Sequence, residues 1–185
     1  MDLFWLPLGA GGHVVRWNGR AYEAAAALLA RRPRQDLYHS ALEVHLPLAT
    51  WVVEMTPVWL ATDGSSGRGV VAEGAVGARW AGRSRLFRYE VRCWRGGSIG
   101  DVGEAVGGAV RLTDDAGVAR RLLDGLPAVP APVWGRDELR TGEMWNSNSV
   151  TSWALAGAGL DPASLAPPGG GRAPGWAAVI AVAGR

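Results

Sequence analysis

The chain has 185 residues, 48% apolar and 19% charged, the make-up expected of one globular domain over residues 1–185 rather than of a disordered or membrane-embedded chain. All 19 basic residues are arginine, which removes mechanisms that need a lysine amine or Schiff base. The net charge of +2 gives no general case for nucleic acid, and the single Cys93 excludes an internal disulfide and a cysteine-rich metal site.

The opening residues, MDLFWLPLGAGG, lack the basic start of a signal peptide, and no apolar stretch reaches membrane-span length. With the unpaired cysteine, this makes a cytoplasmic location the expectation. Asn18-Gly19, inside HVVRWNGRAYE, predicts a tight turn between extended pieces, and AYEAAAALLARR then predicts a helix that stops at Pro33.

From Leu37 the texture becomes β. In DLYHSALEVHL, Ser40, Leu42, Val44 and Leu46 fall on one side of a strand, and His39, Ala41, Glu43 and His45 on the other. TWVVEMTPVWL follows Pro47 closely enough to form a hairpin with it. Beyond the breaker TDGSSGRG, GVVAEGAVGARW and RLFRYEVRCWR add strands, which makes an antiparallel sheet of four or more. The second of these alternates Phe87, Tyr89, Val91 and Cys93 with Arg88, Glu90 and Arg92, read as an apolar and a solvated side. TDDAGVARRLLDGL predicts a helix capped by Thr113. PAVPAPVWGRDELRTGEM reads as an irregular connection, SVTSWALAGAGL as a helix, APPGGGRAPG as a loop and WAAVIAVA as a final strand. The class is thus α+β, a sheet packed with two or three helices.

Residues 143–153, EMWNSNSVTSW, place two Asn-Ser pairs where loop becomes helix. Unpaired N–H groups and the positive end of the helix favour an anionic nucleophile or an oxyanion there, although any of the four residues could serve only as the cap. A nucleophilic serine needs a base, and among three histidines His39 is the candidate. Glu54 or Glu43 could orient it, although a simple hairpin register sets Glu54 nearer Glu43 than His39. Six arginines between Arg79 and Arg95, interleaved with Trp80, Phe87, Tyr89 and Trp94, offer a face for acidic ligands that also fits an ordinary wet strand. The glycines match no phosphate loop, and the histidines show no metal-ligand spacing, so no cofactor is assigned.

YHSALEV followed by WNSNSVTSWAL resembles, in kind and order, the circularly permuted papain-like hydrolases and acyltransferases, which include the permuted NlpC-like and lecithin:retinol acyltransferase-like groups. The resemblance implies a permuted papain-like fold with His39 at the family's histidine, Asn146 at its asparagine, Ser147 in place of the nucleophilic cysteine, Ser149 at the polar position and Val150 at the apolar one. It makes Glu54 the third catalytic residue, and a shifted alignment would put Asn148 and Ser149 at the Asn-Cys pair. The activity implied is amide or ester hydrolysis or acyl transfer. The alternatives are an inactive descendant that binds a peptide, an acyl group or another small molecule, or a partner protein, and a nucleic-acid module built on the arginines.

Overall fold

A computed structural model describes residues 1–8, 23–24, 27–29, 31–58 and 69–179. It is α+β, with strands β1 (Asp2–Pro7), β2 (Tyr38–Leu46), β3 (Ala49–Pro57), β4 (Val70–Ala75), β5 (Arg88–Arg95) and β6 (Ala109–Arg111) in one sheet of order β4-β5-β3-β2-β1-β6. All neighbours are antiparallel. Helices α1 (Ala116–Gly125) and α2 (Ser147–Gly157) follow the sheet in the chain. Of the early helix, residues 23–24 and 27–29 are described and are helical; the turn at Asn18-Gly19 lies outside the described residues.

Both helices pack on one side of the sheet. Leu3, Trp5, Leu42, Val44, Val53 and Cys93 meet Ala119, Leu122, Ala154 and Leu155 there. The alternation expected in β2 is the one observed, since Leu42 and Val44 face the helices while Ala41 joins Phe4, Leu6, Val52 and Ile99 on the other side. β1 has no such alternation. It is central and buried on both faces, so it reads as a continuous apolar run and carries no period-2 signal.

Three expectations are corrected. Asp115, not Thr113, caps α1: its carboxylate accepts from the N–H groups of Gly117 and Val118, while the Thr113 hydroxyl accepts from Asp115. An ionised acceptor suits the positive helix end better than a hydroxyl. The final strand does not form in its described part: residues 176–177 are a turn and 178–179 are helical. Gly175, at φ +85°, turns the chain there, and Trp176 is tied down by its Nε1 donating to the Pro162 carbonyl at 2.9 Å.

The third correction concerns β5, whose polar side is not solvated. Glu90 and Arg92 are buried at 1% and 6% exposure. Arg92 Nε donates to Glu90 Oε2 at 3.0 Å, and its guanidinium carbon lies 5.1 Å from the centre of the Trp94 ring. On the same face Trp94 packs against the cluster of Val52 and Ile99, a cover that the alternation of β5 does not record.

Cys93 lies on the helix side, and burial pushes its thiol up to about 11. A thiol held neutral is a poor nucleophile. Ellman's reagent is therefore expected to leave the folded protein unmodified at pH 8 and to react with one thiol per chain in denaturant; prompt reaction without denaturant would contradict this burial.

Candidate functional site

The β2–β3 pairing runs between Leu42↔Val53 and Leu46↔Ala49, leaving the start of β2 without β3 beside it. The Leu37 carbonyl accepts from Leu8 on the β1 side. Strand alternation therefore turns the Tyr38 and Ser40 carbonyls the other way, toward the vacated position. Helix α2 supplies their partners: Asn148 Nδ2 donates to the Tyr38 carbonyl at 2.9 Å, and Thr151 Oγ1 to the Ser40 carbonyl at 3.5 Å. The first two turns of α2 are thus fastened to the backbone on both sides of His39.

The Asn-Ser motif divides its tasks. Asn146 is the N-cap, its Oδ1 accepting from the N–H groups of Asn148 and Ser149, and its own N–H donates to Ser149 Oγ in a capping box. Asn146 Nδ2 and Asn148 Nδ2 both donate to the Pro174 carbonyl, at 2.8 and 2.9 Å. Ser149 is fully enclosed, with its hydroxyl 2.9 Å from the Gly175 carbonyl and 3.1 Å from that of Met144. A hydroxyl so committed is structural. Ser147, at the first helical position and 6% exposed, is outside this network.

The loop read as APPGGGRAPG is the wall behind the cap. Tyr38 N–H donates to the Arg172 carbonyl and Arg172 N–H to the Asp36 carbonyl, each at 2.8 Å, so the segment ties the start of β2 to the start of α2. At Gly175 an added Cβ would stand 2.6 Å from Asn146 Oδ1 and 2.7 Å from both Met144 O and Ser149 Oγ. Gly175→Ala is expected to cost about 2 kcal/mol or more, from the left-handed backbone and the displaced cap. Asn146→Ala is expected to cost about 1–2 kcal/mol, the usual loss of an N-cap with its side-chain partners. Urea titration of each variant measures both.

On the face opposite the helices, His39 Nε2 and Asp101 Oδ2 are 3.1 Å apart, both partly buried. Asp101 is the partner of His39 that sequence reasoning missed. It lies in a Gly-rich stretch without periodicity, and its only local signal is the nearby Ile99, the buried apolar anchor of that segment. Glu54, expected to orient His39, is 3.8 Å from Arg92 Nη1 instead. Burial raises its carboxyl above the ordinary range; Arg92 opposes that, Asp101 adds to it, and His39 opposes it weakly. Glu54 therefore shares its surroundings with His39 and Asp101 rather than with Glu43. Among the described residues no hydrogen bond joins Ser147 or Ser149 to His39.

The other described histidine, His45, is 2.8 Å from Asp2 Oδ2 and 3.2 Å from Thr50 Oγ1. Asp2, Glu43 and His45 bring potential metal-ligating atoms within 4.8 Å of one another. Burial raises the Asp2 carboxyl, but hydrogen bonds from Arg111 and His45 outweigh it and hold the group below its usual range. Arg111 Nε takes Asp2 Oδ1 at 2.5 Å, so the cluster already contains its counter-charge. His13 lies outside the described residues.

The described helices include none long and apolar enough to cross a membrane. Comparison with family models, curated proteins and solved structures finds no match to this chain.

Proposed function

We propose that the chain is a papain-like amide or ester hydrolase or acyltransferase in which Ser147 is the nucleophile, His39 its base and Asp101 the carboxylate that orients the imidazole. What supports this is the fastening of α2 to the carbonyls of Tyr38 and Ser40: His39 faces away from the helices, but β3 does not pair beside the start of β2, and the helix start bearing Ser147 fills that gap in the sheet next to His39. With Nε2 donating to Asp101, His39 keeps Nδ1 as the nitrogen free to accept a proton. Asp101 takes the orienting role that the sequence suggested for Glu54, because Asp101 is in hydrogen-bond contact and Glu54 is turned to Arg92.

In the reaction Ser147 Oγ bonds to the substrate carbonyl carbon as His39 takes the hydroxyl proton. The oxyanion forms at the positive end of α2, where the Ser147 N–H is not used by the Asn146 cap. Collapse of the tetrahedral species returns the carbonyl, breaks the bond to the leaving group and hands it the proton from His39. Water or an acceptor nucleophile then repeats the sequence to release the acyl group.

A fluorophosphonate probe followed by peptide mapping tests this. Label on Ser147 in the folded chain, lost in His39→Asn, is expected. An unmodified Ser147 in folded protein would end the hydrolase assignment and leave the second reading, an inactive domain that binds a peptide, an acyl group or a partner protein. The absence of a hydrogen bond between His39 and either serine favours that second reading.

A further inference from the structure

Between β4 and β5 the chain RWAGRSRLFR makes two short 3-10 turns, Arg79–Arg83 and Arg85–Phe87, with no acidic residue among them. Three large apolar side chains on these turns face solvent: Trp80 at 77% exposure, Leu86 at 65% and Phe87 at 50%. The segment is held in place. Ala81 is buried, a Cβ on Gly82 would come within 2.8 Å of the Ala75 methyl, and Arg88 Nε donates to the Gly82 carbonyl at 2.8 Å. The protrusion of these side chains therefore belongs to an anchored turn.

Four arginines punctuate the apolar ones, and they are not equivalent. Arg79 pairs with Glu138 and Arg88 with Glu73, whereas Arg83 and Arg85 have no ion-pair or hydrogen-bonding side-chain partner among the described residues. The patch thus combines three exposed apolar side chains with two uncompensated cations.

We propose that this turn docks the protein on an anionic lipid surface, with Trp80, Leu86 and Phe87 entering the interface and Arg83 and Arg85 meeting phosphate headgroups. The charge complementarity selects an anionic partner. Leu86 distinguishes lipid from nucleic acid: aromatic rings and arginine can stack on bases, but an aliphatic side chain of this exposure gains from hydrocarbon. Docking of this kind is peripheral and needs no spanning helix.

The test is sedimentation of the full chain with phosphatidylglycerol/phosphatidylcholine vesicles and with phosphatidylcholine vesicles alone, at low and high salt. Binding to the anionic vesicles that weakens with salt is expected, at least tenfold weaker for Leu86→Gln and for Arg83→Glu/Arg85→Glu, with thermal melting of both variants unchanged. Absence of vesicle binding, or binding that both variants retain, overturns the proposal. So does single-stranded oligonucleotide binding that the arginine variant loses and Leu86→Gln keeps, without vesicle binding. Dimerisation abolished by Leu86→Gln, again without vesicle binding, overturns it in favour of a second copy of the chain.

Discussion

Ser147→Ala is expected to lower turnover of an acyl ester, such as a p-nitrophenyl ester, at least about 10³-fold, the scale lost when a catalytic triad loses its nucleophile. His39→Asn should lose a comparable factor, and the double variant should be no worse than either single one. Residues that act as one unit show this non-additivity, because the second removal acts on machinery already disabled. Asp101→Asn provides the sharpest distinction between positioning and mere packing. The amide keeps the shape and contact but can donate to Nε2, which shifts the imidazole proton and leaves Nδ1 unable to accept. Its loss, also about 10³-fold or more, should fall on kcat and leave KM nearly unchanged. Glu54→Gln is the control: if Glu54 rather than Asp101 orients His39, the Glu54 variant will carry the loss in kcat. Independent serines and histidine, shown by multiplicative losses, would remove the triad altogether.

Much of this site follows from a period of two. The alternation in YHSALEVHL placed His39 with Ala41, Glu43 and His45 opposite the helix-facing residues, because a half-buried strand must sort its side chains that way. The Asn-Ser motif was legible as a helix start for the same local reason: capping acts over three residues. The sequence could not reveal what covers each element. Arg92 looks wet because it alternates with Val91 and Cys93, yet it is buried, bonded to Glu90 and set over the Trp94 ring.

Asp101 and Pro174-Gly175 were missed on similar grounds. They reach His39 and Asn146 across 62 and 28 residues, through loops whose partners no local pattern encodes. Glu54 was singled out by the hairpin and by the resemblance, and a hairpin fixes neighbours along a ladder without fixing which charge a side chain meets. On the β5 side that charge is Arg92, at a distance of 3.8 Å.

Arg92 should accordingly carry the largest stability effect. Arg92→Met keeps the apolar length of the side chain and removes the cation that faces both Glu90 and Glu54. Breaking a buried ion pair from one end is expected to cost about 3 kcal/mol or more, since the remaining carboxylates stay away from water. The pH dependence separates this from a packing defect. Burial already raises the Glu54 carboxyl above its ordinary value of 4.5, with Arg92 opposing the shift. Without Arg92 the folded-state value rises further. A carboxyl raised on folding costs nothing below its unfolded value, and its cost grows as pH climbs through the folded one, where the unfolded chain ionises more readily. The deficit of Arg92→Met relative to the parent should thus be largest near neutrality and shrink as pH falls toward about 4.5. A cavity or a lost stacking contact over Trp94 would give a deficit independent of pH. Glu54→Gln in the Arg92→Met background should recover part of the stability, because it removes the carboxylate whose raised ionisation Arg92 no longer opposes. Chemical denaturation of the parent and both variants at several pH values measures the three outcomes, and a deficit that is flat with pH and unrelieved by Glu54→Gln would show that Arg92 acts through packing alone.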